Sequence, residues 1–260
     1  MRYDEFKNYV VEAAQKNGLA EYELYYTESE SVSTETLMHE ISAFQTSGGT
    51  GACFRCIYEG KMGYASTELF TEEEAERIVT VAMENASIIE IEDEVFIHEA
   101  GDSYVELEPQ KTYEPTSAEM IEKAFALEKA LYAADERVMD GSQAFFGFGK
   151  ETVALMNSKG LDLSYSCDYS EYGAVAVIKE GDEMLNSFAI KAGDFKEMDT
   201  DVLAKKVVQE AVDSIGRESV PSGTYNIVFS NKMMASMLET FFGIFSAENA
   251  QRGLSLLNGK

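Results

Sequence analysis

Histidine is nearly missing from this chain: only His39 and His98 occur in 260 residues. No helix can therefore present two imidazoles on one face, the commonest way of holding a catalytic zinc ion. His98-Glu99-Ala100-Gly101-Asp102 imitates the start of a zincin motif, but Asp102 replaces the second histidine and Gly101 breaks the helix. His39, beside Glu40, reads as a half-exposed, hydrogen-bonded strand residue. Cysteine is scarce too. Three cysteines cannot build a paired framework, and Cys53-Phe54-Arg55-Cys56 lies in an extended stretch. An offset of three on a strand points the thiols to opposite faces and holds their Cα atoms roughly 10 Å apart, beyond disulfide reach. Basic residues are few, 21 against 47 acidic ones, giving a formal charge of −26. Such a surface repels phosphate and anionic lipid, so direct binding to nucleic acid or to a membrane surface is not expected. No leader-like apolar segment and no apolar run of about 18 residues occurs, so the chain reads as cytoplasmic with no membrane span.

What is present is regular patterning. Phe6, Tyr9, Val10, Ala13 and Ala14 make one face of a helix over residues 2–16, stopped by Asn17-Gly18. Residues 22–27 and 31–44 read as strands, with a bulge near Glu40 where the alternation slips. Ser47-Gly48-Gly49-Thr50-Gly51 lacks the Lys-Ser/Thr of a phosphate loop and leads into a strand, so it reads as a hairpin turn. Strands over 52–58 and 62–66 meet across Glu59-Gly60-Lys61. Thr71 to Glu74 forms a capping box for the helix that buries Ala75, Ile78, Val79, Ala82, Met83 and Ala86. Residues 88–114 are acidic, irregular and proline-containing, as a linker would be.

The second half repeats this order. Thr116 or Ser117 caps a helix, strands follow over 138–148, 152–156, 161–169, 173–179 and 184–190, and a helix over 200–215 closes it. Leu161, Leu163, Tyr165, Cys167 and Tyr169 alternate with polar residues, which places Cys167 in the core lining. Gly141–Gly149, rich in phenylalanine, reads as a bent strand. No Gly-x-Ser-x-Gly elbow or other pairing of nucleophile and base is visible, so no catalytic, cofactor-binding or metal-binding residue is assigned. The fold expected is α+β: a duplicated helix–antiparallel sheet–helix unit followed by the start of a truncated C-terminal domain. The segments are 1–108, 109–220 and 221–260. In the last, Tyr225–Phe229 reads as a strand and residues 231–245 as a helix apolar on more than one face. Because little chain follows it, that helix is expected to be poorly ordered or to support self-association.

Three motifs carry a resemblance. Gly60-Lys61-Met62-Gly63-Tyr64-Ala65-Ser66-Thr67, Met156-Asn157-Ser158-Lys159-Gly160 and Arg252-Gly253-Leu254-Ser255-Leu256-Leu257-Asn258-Gly259-Lys260, in this order and spacing, resemble the TldD/PmbA family, once called modulators of DNA gyrase. The resemblance implies a cytoplasmic metallopeptidase of two related subunits, TldD and TldE (PmbA), that trims peptides and unfolded segments. It also implies that only the TldD type carries the zinc motif His-Glu-x-x-x-His. Counted back from Gly253 and Ser255, that motif falls on Leu238-Glu239-Thr240-Phe241-Phe242-Gly243. The chain then corresponds to the TldE/PmbA type, with no cofactor of its own, zinc in a TldD-type partner, and peptides as substrates. Two other readings stand beside it. One is a stand-alone peptide-binding or regulatory protein that captures extended segments by strand addition at a sheet edge. The other is an independent hydrolase with an unrecognised site.

Overall fold

The computed structural model describes residues 1–90, 94–101, 104–105 and 107–259. Part of the stretch read as a linker, and Asp102 of the zincin-like run, lie outside the described residues. Contacts divide the chain into two compact units, 1–216 and 217–260. The first contains α1 (Tyr3–Lys16), β1 (Tyr22–Leu37), β2 (Glu40–Tyr58), β3 (Lys61–Thr67), α2 (Glu72–Ser87), α3 (Ser117–Ala134), β4 (Gln143–Asn157), β5 (Asp162–Glu180), β6 (Glu183–Ala192) and α4 (Thr200–Val212). This is an α+β fold. Its strands form one six-stranded sheet in the order β3-β2-β1-β4-β5-β6, with every neighbouring pair antiparallel.

Both helix pairs pack on the same side of that sheet. Side chains alternate along β1, and the even-numbered Leu24 joins the core under α1 and α2 while the even-numbered Val32 packs on the core under α3 and α4. Phe6, Val10, Ile78 and Val79 cover Phe54 in one core; Leu127, Leu131, Leu203 and Val207 cover Phe146 and Ile178 in the other. Fully burying such side chains stabilises the fold by about 1.5–3 kcal/mol each. Helix starts are built as the sequence suggests in two cases. Thr116 and Glu119 form a complete capping box on α3. Thr71 caps α2 by accepting from the Glu74 amide at 3.2 Å, but the Glu74 carboxylate is turned to Arg77 and Thr67, so that box is only half formed.

Several strand boundaries differ from expectation. Residues 31–44 are not one strand with a bulge near Glu40; β1 ends at Leu37 and a two-residue turn, Met38-His39, leads into β2. Both turn residues have positive φ, 53° and 63°, as a type I′ hairpin turn demands. Neither is glycine, asparagine or aspartate, so no sequence signal marks the turn. Glu128 on α3 holds it: its Oε1 accepts the His39 N–H at 3.0 Å, and the Tyr132 ring lies 4.7 Å from the His39 ring. A register shift does occur nearby, between Glu35 and Thr36, where Ser42 of β2 is left unpaired. Ser47–Gly51 is not a turn either. Those residues run straight through β2, opposite Thr27–Ser31.

The strands read separately at 138–148 and 152–156, and at 161–169 and 173–179, are single long strands, β4 and β5. Their length corrects the placement of Cys167. From Asp168 onward the even-numbered residues of β5 face the helices: Asp168 is 6% exposed and Ser170 2%, whereas Leu163 and Tyr169 are 40% and 43% exposed. The apolar residues of the strand's first half therefore lie on the side away from the helices, and half-buried Cys167 lies with them. Phe146 and Phe148 are core residues, while Phe145 faces the other way and stacks on Phe188 at 6.3 Å.

Two of the three motifs that carry the family resemblance are joints of this fold. A Cβ on Gly63 would lie 1.9 Å from the Ala82 carbonyl oxygen, so only glycine lets β3 approach α2. Asn157 ties the β4–β5 turn together: its Oδ1 accepts from the amides of Lys159 at 2.9 Å and Leu161 at 3.1 Å, and its Nδ2 donates to the His98 carbonyl at 2.9 Å. Ser158 next to it exchanges hydrogen bonds with the Tyr22 backbone, closing the turn onto the start of β1.

The second unit holds α5 (Asn231–Phe241), a 3₁₀ turn over Phe242–Phe245, and α6 (Ala247–Gln251). The helix expected over 231–245 thus tightens in its last turn. Tyr225–Phe229, expected as a strand, joins no ladder among the described residues. None of the residues of α5 is buried.

Two substitutions test these joints by urea unfolding. Gly63→Val must push a backbone carbonyl aside and should cost about 3 kcal/mol or more, whereas Gly49→Ala, with no atom within 4 Å of its Cβ, should stay within about 0.5 kcal/mol. Asn157→Leu should cost about 1–3 kcal/mol, because buried amides lose their acceptor. A neutral Gly63→Val would show that β3 and α2 do not pack as described.

Candidate functional site

Between the two helix pairs the helix side of the sheet carries a polar groove. One cavity, of about 480 Å³, is lined by Tyr3, Lys7, Tyr26, Glu28, Phe70, Thr152 and Asp162 among others. A second, of about 320 Å³, is lined by Glu30, Val32, Thr46, Gly48, Glu114, Phe148 and Lys150 among others. Strand alternation puts these groups there: even-numbered residues of β1, β2 and β4 face the helices, and those between the two cores are polar. Thr152 and Ser166 link β4 to β5 across the groove by a 2.9 Å hydroxyl pair.

Each lysine of the groove lies beside a carboxylate. Lys7 meets Asp162 at 2.9 Å, Lys150 meets Glu114 at 2.6 Å, and Lys111 lies 3.6 Å from the buried Asp168. Tyr3 stacks on Tyr26 with ring centroids 4.3 Å apart, and the Tyr26 hydroxyl donates to Glu28 at 3.0 Å. Burial, and then the Glu28 carboxylate, push the Tyr26 phenol up to about 12. Burial and Asp162 raise Tyr3 as well, and the Tyr3 hydroxyl has no hydrogen-bond partner among the described residues. Both phenols are therefore protonated near neutral pH and neither serves as a base. The groove can hold polar groups by hydrogen bonds and paired charges.

The residues singled out by sequence are dispersed. His39 sits at the β1–β2 turn, and His98 lies in the connection after α2, offering its backbone carbonyl to Asn157. Cys56 is buried in the core under α1 and α2, where burial pushes its thiol up to about 11; Cys53 points to the opposite side and lines a cavity with Tyr25 and Ser66. Both are free thiols. Among the described residues no group of three or more His, Cys, Asp or Glu side chains is placed to hold a metal ion. Sequence reasoning missed Glu128 and the Tyr3–Tyr26 stack. Glu128 had a signal: it falls in the buried stripe of α3 with Ala124 and Leu131, where a charged residue requires a partner.

The positions reached by counting back from Gly253 and Ser255 to the zinc motif, Leu238 to Gly243, lie at the end of α5. Leu238 and Glu239 are in the helix and Gly243 is in the 3₁₀ turn after it. The carbonyl of Gly243 accepts from Asn249 Nδ2 at 2.8 Å, and the Asn249 carbonyl in turn accepts from the amides of Leu254 and Ser255, while the Ser255 hydroxyl donates to the Ile244 carbonyl. The third resemblance motif thus folds back on the turn that bears Gly243. Leucine and glycine side chains have no donor atom for zinc, so these residues do not fit the ion.

Comparison with known proteins agrees with this picture of the fold. Three consecutive family models match: PmbA/TldA metallopeptidase domain 1 over residues 22–86, the central domain over 111–215 and the C-terminal domain over 222–260. An uncharacterized protein of Methanocaldococcus jannaschii is 26% identical over an alignment of 272 residues, covering 96% of this chain and 57% of that one. The crystal structure of a candidate modulator of a DNA gyrase from Thermotoga maritima superposes with a TM-score of 0.89 at 22% identity, covering 100% of this chain and 59% of its own. TldE from Thermococcus kodakarensis superposes with a TM-score of 0.78 at 19% identity, covering 98% and 58%. The chain therefore spans less than two thirds of the length of these relatives. With the three domain models matched in sequence order, this chain belongs to the PmbA/TldD metallopeptidase family.

Proposed function

We propose that this chain is a TldE-like, non-catalytic subunit of a cytoplasmic zinc metallopeptidase that processes peptides and unfolded segments, with the zinc held by a TldD-type partner. The observation that carries the reading is the pair Leu238 and Gly243, which the count back from Gly253 and Ser255 sets against the two histidines of the motif that the resemblance implies. A glutamate, Glu239, keeps its place between them, but without a metal-bound water it has nothing to activate. The groove fits the same reading, since its phenols are protonated and its lysines are paired. It suits holding a chain rather than cleaving one.

We infer further that residues 1–108 and 109–220 arose by duplication and that residues 221–260 belong to a separate C-terminal domain. Two features support this. Each half runs helix, three antiparallel strands, helix, and the sheet order places β1 against β4, β2 outside β1 as β5 is outside β4, and β3 and β6 at the ends.

Elemental analysis of the purified chain after exhaustive dialysis tests the subunit assignment. Zinc well below one ion per chain is expected, before and after incubation with added zinc. One tightly retained zinc per chain would end this reading.

A further inference from the structure

The free edge of β2 has a property that nothing among the described residues explains. β3 pairs with β2 only from Ala52 to Tyr58, so from Glu40 to Gly51 the strand is bonded to β1 on one side and, among the described residues, to no strand on the other. Residues 40–49 are exposed apart from half-buried Ala43. The corresponding free part of β5, before Glu171, is not reached by β6 but is bridged at Cys167 by Gln110, with the Asp168 amide donating to the Gln110 carbonyl at 2.8 Å. Free edges are normally blunted by lysine, proline or inward charge. This one carries none of these from Ile41 to Phe54, although the chain as a whole has a net charge of −26.

Glycines stand in the same stretch without an internal reason. Gly48, Gly49 and Gly51 do not adopt positive φ. A Cβ on Gly49 would meet nothing within 4 Å, and on Gly48 and Gly51 nothing closer than 3.4 and 3.8 Å. Elsewhere the sheet's glycines are held by contacts: Gly63 by α2, Gly149 by the Tyr169 ring and Gly173 by the Phe145 ring. Glycine in a strand interior weakens the strand and often marks the close approach of another backbone.

We propose that the β2 edge pairs antiparallel with the same edge of a second copy of this chain, joining two six-stranded sheets into one. The observations favour a copy over another occupant because the seam is self-complementary. The regular free stretch after the unpaired Ser42 runs from Ala43 to Gly51, and its centre is Ser47. A two-fold axis perpendicular to the sheet requires one residue to oppose itself, since opposed residues must point to the same face. With the axis at Ser47, Thr46 opposes Gly48, Gln45 opposes Gly49 and Phe44 opposes Thr50, so larger side chains meet small or slender ones. No like charges meet, which a pairing within acidic stretches such as Glu28–Glu30 would not achieve. Isologous use of the edge also consumes it, giving a closed dimer and not a filament. The proposal is independent of the subunit reading, because it needs neither a metal nor a peptide.

Sedimentation velocity of the 260-residue chain at about 1–100 µM, with Ser47→Lys as the variant, tests it. The native chain should dimerise, and two lysines opposed at the axis should weaken the dimer at least about tenfold while far-UV circular dichroism is unchanged. A single cysteine at Ser47 provides an independent arm, because with the axis there residue 47 opposes its own copy, and opposed residues in an antiparallel pair have Cα atoms about 4.5–5.5 Å apart, within disulfide reach. Mild oxidation should give a covalent dimer from Ser47→Cys and none from the native chain. A native chain that stays monomeric, a dimer indifferent to Ser47→Lys, or a Ser47→Cys variant that does not cross-link would each overturn the proposal. A monomer that takes up an added extended peptide along β2 instead would assign the edge to peptide capture.

Discussion

The pairing of β1 with β4 is the constraint on which the first unit depends. It runs without a register shift from Glu23 opposite Asn157 to Leu37 opposite Gln143, the full length of β1 in all but its first residue. Because it is unbroken, the face presented by Leu24 is the face presented by Thr36, and both helix pairs must lie on that one side. Each half alone would be a three-stranded meander with β1 or β4 as an open edge, buried on one side only. Joined, the two place their cores in line and leave the polar groove between them. They also leave staggered ends, since β3 reaches only the last part of β2 and β6 only the last part of β5. The free edge of β2 is a direct consequence of that stagger.

Local pattern revealed the helices well, because α1, α2, α3 and α4 have caps and apolar stripes that need no partner to be recognised. Long strands were harder to read. A strand such as β5 passes from uncovered sheet to the core beneath α3 and α4, so its apolar residues change face along its length: Leu163 and Tyr169 point one way, Tyr172 and Ile178 the other. Read locally, such a change looks like two strands. The Met38-His39 turn escaped notice because Glu128, 89 residues further on, accepts its amide. Glycines misled for the opposite reason: Gly48, Gly49 and Gly51 look like turn residues, yet they run through a ladder with β1 and, among the described residues, join no other. The groove could not be seen in the sequence at all. Its ion pairs join Lys7 to Asp162 and Lys150 to Glu114, contacts that exist only after β1 and β4 have paired.

The motifs that identify the family serve, in the first unit, to build the fold. Gly63 lets a helix sit against β3, and Asn157 and Ser158 tie the β4–β5 turn to β1 and to the connection after α2. Each meets a steric or hydrogen-bonding demand with few solutions. They say little about chemistry. The functional reading rests instead on two residues, Leu238 and Gly243, and on what a leucine and a glycine cannot do.

The measurement that bears most directly on that reading is peptide cleavage by this chain mixed with a TldD-type subunit, compared with each protein alone. The account predicts cleavage that requires the TldD-type subunit, is abolished by chelation of zinc, is enhanced by this chain, and is unchanged when Glu239→Gln replaces the native residue here. Zinc-dependent cleavage by this chain alone, or loss of the mixture's activity on Glu239→Gln, would contradict it.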